Sequence, residues 1–228
     1  GCFAAGSPIL PVYAGELQNP ALGMKINAYD EKGKPVRNEQ GELVCEAPAP
    51  SMPLYFWNDP DGSKYHSAYF DVYPGVWRHG DYVLIHSDTG GVTFYGRSDA
   101  VLKPSGVRIG TGEIYAQMEK LPQIADSLAV GQTYQDDQRV ILFVKLAPGF
   151  TLTDELTAKI RWTLRENASP RHVPAVILET PDIPYTLNMK KVESAVTNII
   201  NGRPVSNRDA LINPNSLEYY EKILPELR

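Results

Sequence analysis

Three short stretches combine side chains able to do chemistry with glycines that let a ligand approach the backbone. In the first, His79-Gly80-Asp81 puts a carboxylate at the mouth of a candidate hairpin, where it can accept two hydrogen bonds from a ribose diol. The same aspartate also suits a plain turn cap. The second, GRSDAVLKPSGVRIGTGEI (residues 96–114), holds Arg97 at a strand end, Ser105-Gly106 in a turn, and Arg108 eleven residues after Arg97. Two guanidinium forks beside glycine-exposed backbone suit a phosphate and ribose clamp, while a glycine-rich linker with surface arginines would look the same. Glu113 can cap or salt-bridge the helix that follows. The third, IPYTLNMKKVE (residues 183–193), puts a lysine in a turn before an apolar helix, either aimed at a partner surface or simply solvated.

The elements that must position these stretches fall into two patterns. Up to about residue 97 the chain reads as β structure. Met24–Tyr29 and Glu42–Glu46 alternate apolar and polar residues around the turn clusters Asp30–Pro35 and Asn38–Gly41. Tyr82–His86 and Val92–Tyr95 form a second hairpin joined by Ser87–Gly91, and Pro48–Tyr73 reads as a long ordered loop. Short strands punctuated by Gly and Pro suit a small β-barrel-like subdomain.

After Arg97 the pattern turns α+β. Helices are expected over Gly112–Lys120, over Asp154–Ala168 with Leu156, Ile160 and Leu164 on one face, and over Lys191–Asn201. Strands are expected over Asp126–Gly131 and Arg139–Lys145, paired antiparallel, and over Ala175–Glu179. The boundary falls at Ser98–Asp99. The tail from Gly202 carries an amphipathic SLEYYEKIL helix that packs back on the body.

Composition narrows the function classes. The chain has 228 residues, 43% hydrophobic and 21% charged, which excludes disorder and collagen-like repeats. No apolar run is long enough to span a membrane, so no membrane partner is expected. With 22 basic and 27 acidic residues the net charge is −5, and the scattered basic residues argue against a nucleic-acid partner. Cys2 and Cys45 read as thiols of a reducing cytosol, and the four dispersed histidines form no metal-ligand pattern. The start GCFAAGSPIL, without Met or a basic segment, reads as a cut inside a longer protein.

The order of HGD, then GRSD with SGVR, then the late IPYTLNMKKVE loop resembles the adenylate-forming acyl-CoA synthetases. FWNDPDGSKYHSAYF, SPRHVPAVILET and the closing NPNSLEYYEKILPEL extend the resemblance from Cys2 to the tail, toward members that act on acetoacetate. The resemblance implies a two-step ligase. The carboxylate of acetoacetate attacks the α-phosphorus of ATP, and coenzyme A then displaces AMP. It makes Lys190 the catalytic lysine, gives the ribose hydroxyls to Asp81 with help from Arg97, and sets Arg108 near the AMP phosphate. Ser105 and Gly106 would line the CoA channel, Arg165 would contact the CoA phosphates, and Asp99 would be the hinge. Residues 1–98 would be the last, incomplete β subdomain of a large N-terminal domain, residues 99–201 a mobile C-terminal lid, and residues 202–228 a tail with a helix.

Two departures accompany the resemblance. Met189 stands where the family pattern has Gly before the lysine, a position that serves a tight backbone turn. The family's pyrophosphate loop, its adenine and magnesium motif and most of the acid pocket are missing. Mg²⁺ is implied as the counter-ion of ATP, with its ligands outside these residues. The chain is therefore expected to be inactive without the missing N-terminal domain. The alternatives are an acetyl- or propionyl-CoA synthetase, another adenylation domain, or a non-catalytic nucleotide-binding module.

Overall fold

Alternation in the first part of the chain becomes antiparallel sheet in the computed structural model, which describes residues 2–98, 100–205 and 208–227. The chain divides into two units, residues 1–99 and 100–228. In the first, β1 (Ala4–Ala5) pairs with β2 (Asn19–Pro20). A separate sheet holds β3 (Ile26–Tyr29), β4 (Pro35–Val36), β5 (Gln40–Cys45), β6 (Trp77–Ile85) and β7 (Val92–Arg97), in the order β4-β3-β5-β6-β7. The β3–β4 turn is closed by the Asp30 carboxylate, which accepts the Lys32 and Lys34 N–H groups at 2.8 Å. Ile26, Ala28, Leu43, Trp77, Val83 and Ile85 form the center of the core.

Among the described residues the five strands do not close into the barrel-like form expected. Closing a barrel requires its two edges to share a ladder. Here β4 is only two residues long, and among the described residues β7 meets, on its outer side, only the isolated Leu17–Val92 bridge. The stretch expected as loop contains α1 (Ser63–Tyr69), which buries none of its residues and so leaves no apolar period to read. Its start is fixed by the buried Asp59 carboxylate, which accepts from the N–H groups of Lys64 (3.0 Å) and Tyr65 (2.8 Å).

In the second unit β8 (Ile124–Tyr134) and β9 (Asp137–Leu146) form an antiparallel hairpin. The third strand, β10 (Val176–Glu179), runs parallel to β9, and the crossover between them contains α3 (Asp154–Asn167). As the central strand, β9 is buried on both faces, and its run Val-Ile-Leu-Phe-Val at 140–144 is continuously apolar for that reason. The α2 helix (Thr111–Met118) and α3 pack Ile114, Met118, Leu156, Ile160 and Leu164 against Ala129, Leu142 and Val144. The remaining helices, α4 (Glu193–Ile200) and α5 (Leu217–Ile223), pack Val196, Ile199, Leu217 and Tyr220 against Leu128, Ile141 and Phe143. Each aliphatic side chain so removed from water contributes roughly 1.5–3 kcal/mol. At the start of α3, Thr153 accepts the Leu156 N–H at 3.2 Å, and Asp154 and Glu155 occupy its first turn. The tail joins this core, with Tyr220 edge-on to Phe143 at 4.9 Å between centroids.

Candidate active site

Asp81 in β6 lies directly across from Arg97 at the end of β7. This register brings Arg97 Nη1 to 3.6 Å from Asp81 Oδ1, while His79 Nε2 lies 3.4 Å from Oδ2. Arg97 Nη1 also donates to the His79 carbonyl at 3.2 Å. The close approach depends on Gly80, at φ 86°, because a Cβ there would lie 2.6 Å from Arg97 Nη2. Behind this kink stands Glu42, a buried carboxylate of β5. It accepts from Gly80 N–H at 3.0 Å and Ser98 Oγ at 3.1 Å, and pairs with Arg78 Nε at 3.2 Å. Sequence reasoning misses Glu42, although a lone carboxylate inside an otherwise apolar buried strand is a readable signal. The Asp81 carboxylate stays 21% exposed, with a fixed orientation and lone pairs left to accept a diol.

The remaining candidates fall in the second unit. Backbone bonds between Leu102 and Ile109, at 3.0 and 2.8 Å, close the loop that carries Ser105, Gly106 and the half-buried Arg108. Ser105 and Gly106 are both left-handed, at φ 52° and 76°. Asp137, at the start of β9, holds that conformation: it accepts the Ser105 N–H at 3.0 Å on each oxygen and the Ser105 hydroxyl at 3.1 Å. The Gln138 N–H, and after it the Ser105 donors, keep the Asp137 carboxyl below the usual range. Downstream, Glu113 accepts the Gly110 N–H at 3.0 Å and lies 3.4 Å from His172 Nε2, so it caps α2. The contact with His172, and then the Gly110 bond, hold its carboxyl low.

Lys190 sits in a turn between Tyr185 and Lys191, which are bridged to each other. Thr186 N–H donates to the Lys190 carbonyl at 2.9 Å, Met189 N–H to the Thr186 carbonyl at 2.9 Å, and Lys190 N–H to Thr186 Oγ1 at 3.2 Å. Met189 adopts φ 57°, so the tight turn is kept with a side chain in the left-handed region. The two adjacent lysines diverge. Lys190 is exposed. Lys191 is engaged, with its Nζ 2.6 Å from Asp126 Oδ1, bonded to the Ser127 carbonyl at 2.8 Å and 4.1 Å from the Tyr115 ring centroid. The Tyr185 hydroxyl donates to Asp126 Oδ2 at 2.5 Å. Burial, and then this carboxylate, push the Tyr185 phenol well up.

Arg165 is exposed on the last turn of α3, and among the described residues it bonds to neither loop. Asp99 lies outside the described residues. The structure thus brings Asp81 and Arg97 together in the first unit, and gathers Ser105, Gly106 and Arg108 on one loop of the second. Among the described residues no group of three His, Cys, Asp or Glu side chains is placed to hold a metal, so no Mg²⁺ ligand is assigned. Nor is any described helix long and apolar enough to cross a membrane.

No family model matches the chain. Curated proteins do. An acetoacetyl-coenzyme A synthetase from Rhizobium meliloti (strain 1021) is 52% identical over 219 residues, 96% of this chain. One from Danio rerio is 52% identical over all 228 residues. The chain is similar along its whole length to acetoacetyl-CoA synthetases. It spans about a third of their length, 34% in both cases. The solved acetoacetyl-CoA synthetase from Streptomyces lividans matches the whole chain at 46% identity with a TM-score of 0.92, and again 34% of that protein is covered. An amide bond synthetase from Marinactinospora thermotolerans, 18% identical with a TM-score of 0.66 over 82% of this chain, shares the fold.

Proposed function

We propose that this chain is the C-terminal part of an ATP-dependent ligase that converts acetoacetate, ATP and CoA to acetoacetyl-CoA, AMP and diphosphate through an acyl-adenylate. One observation carries the reading: identity near one-half with acetoacetyl-CoA synthetases along the entire chain. In the first step a carboxylate oxygen of acetoacetate bonds to the α-phosphorus and the bond to diphosphate breaks. Both reactants are anions. An ammonium at ~4 Å offsets about 4 kcal/mol of that repulsion at an effective dielectric of about 20. We assign this role to Lys190, whose exposure at the tip of a fixed turn supports it. In the second step the CoA sulfur bonds to the acyl carbon and AMP leaves.

Asp81, oriented by Arg97, accepts the ribose hydroxyls in this reading, and Arg108 faces the AMP phosphate. Ser105 and Gly106 border the CoA path, and Arg165 meets the CoA phosphates. Residues 1–98 complete the large domain. Residues 99–201 form a lid that turns about Asp99 between the half-reactions, and residues 202–228 form its tail. Bound Mg²⁺ would neutralise phosphate charge. The free thiols of Cys2 and Cys45 fit a reducing cytoplasm.

The test is release of AMP by the full-length enzyme carrying this sequence, with acetoacetate, acetate or propionate as the acid. Acetoacetate is the preferred acid in this reading, and Lys190→Ala slows adenylate formation about 10²–10³-fold. Preference for another acid would overturn the substrate assignment. Turnover by the 228-residue chain alone would overturn the placement of the nucleotide site.

A further inference from the structure

We infer that Asp126 is a positioning residue for Lys190, its one carboxylate tying together the two ends of the loop that carries the lysine. The inference rests on the reading of Lys190 as the adenylation lysine. Tyr185 and Lys191 stand at the two ends of that loop and are bridged through their backbones. Their side chains converge on opposite oxygens of Asp126, the Tyr185 hydroxyl at 2.5 Å and the Lys191 ammonium at 2.6 Å. Asp126 itself lies near the start of β8, at a register shift and just before the stretch 127–132 that is buried in the core.

The far side of Lys191 is fixed as well. Its Nζ bonds to the Ser127 carbonyl and sits over the Tyr115 ring, and the Tyr115 hydroxyl donates to Glu193 at 3.0 Å and accepts the Ala129 N–H at 3.2 Å. Apolar packing does not do this work alone, because a cavity of about 260 Å³ opens beside Asp126, Tyr185 and Lys191. The Asp126 contacts therefore act together with the backbone bonds of Leu187 N–H to Ala210 (3.2 Å) and Ile212 N–H to Tyr185 (2.9 Å) in setting where the turn sits. They also give Lys191 a neutralising partner, so that Lys190 presents the charge at the tip. A catalytic group misplaced by about 1 Å can lose on the order of 100-fold in rate.

The experiment uses the full-length enzyme with Asp126→Asn, Asp126→Glu, Tyr185→Phe, Lys190→Ala and the Asp126→Asn/Lys190→Ala double variant. Adenylate formation is read by diphosphate exchange into ATP, and thioester formation from supplied acyl-adenylate. We expect Asp126→Asn to lower adenylation turnover about 10–100-fold, with the KM for ATP and the thioester step within about twofold of wild type. Asp126→Glu should recover most of that loss, and Tyr185→Phe should show a smaller loss in the same step. The double variant should be no slower than Lys190→Ala, because the two residues act as one unit. Equal loss in both half-reactions, or losses that multiply in the double variant, would overturn the inference. Should Asp126→Asn not fold, wild-type adenylation by Tyr185→Phe would overturn it equally. If Lys190→Ala itself retains adenylation, the reading of Lys190 fails. If Lys190→Ala loses adenylation and Asp126→Asn does not, only the inference about Asp126 fails.

Discussion

Replacing Met189 with glycine measures the strain held under Lys190. Six non-glycine residues adopt positive φ among those described, and Met189 is the only one that is not Asn, Asp, Gln or Ser. A left-handed conformation costs an L-residue roughly 1–2 kcal/mol, and a thioether offers no local hydrogen bond in return. Glycine removes that cost but adds unfolded-state entropy of about 0.5–1 kcal/mol. Little burial is lost, since Met189 is 66% exposed. The net gain is about 0–1.5 kcal/mol, which for a unit of this size raises the melting temperature by up to roughly 6 °C. Calorimetry of the chain carrying Met189→Gly, Met189→Asn and Met189→Val would read it. Asparagine tolerates the left-handed region and should match or slightly exceed methionine, whereas β-branched valine should melt lower. A glycine variant that melts below wild type, or a valine variant equal to it, would refute the strain argument.

Two further predictions concern the scaffold. A Cβ at Gly41 would lie 2.6 Å from the Tyr29 carbonyl oxygen, which is backbone and cannot swing away. Gly41→Ala should therefore destabilise the chain by about 1–3 kcal/mol, seen as a lower urea midpoint, and an unchanged midpoint would show that the sheet yields there. The Glu113 carboxyl is held low by His172 and the Gly110 N–H, so the stabilisation is present above its ordinary value of 4.5 and is lost as pH falls through the lower folded value. Glu113→Gln should lower the melting temperature near neutrality and flatten its decline below about pH 4.5, and parallel curves for the two proteins would contradict this.

Elements with a buried face were legible in the chain, because burial leaves a period. The Leu156–Ile160–Leu164 face announces α3, and both strands of the β8–β9 hairpin are marked by their apolar runs. Helix α1 has no buried face, and its only mark is the capping Asp59 before Gly62. That the strands do not close was not legible, since short strands and turns look alike in a barrel and in an unclosed sheet. In the candidate site, the side chains offered for chemistry stand in local motifs. Those that hold the motifs do not: Glu42 acts 38 residues from Gly80, Asp137 acts 32 from Ser105, and Asp126 acts 59 from Tyr185. Only the fold brings such partners together.

These distant carboxylates share a physical logic. Each candidate stretch turns through positive φ, at Gly80 within β6, at Ser105-Gly106 and at Met189. Conformations of that kind persist only where their surroundings over-determine them. In each case an acidic side chain on a strand takes part: Glu42 on β5 and Asp137 on β9 at the bend itself, and Asp126 on β8 at the base of the turn, where Thr186 holds Met189 directly. Glu42 and Asp137 take the backbone N–H of the turning residue itself, a charge-assisted bond roughly twice as strong as a neutral one. Asp126 instead takes the side chains on either side of its turn and leaves the Lys190 backbone to the Thr186 hydroxyl. The first two bends are thus held at the turning residue, and the third at its base and by the Leu187 N–H bond to the Ala210 carbonyl at 3.2 Å.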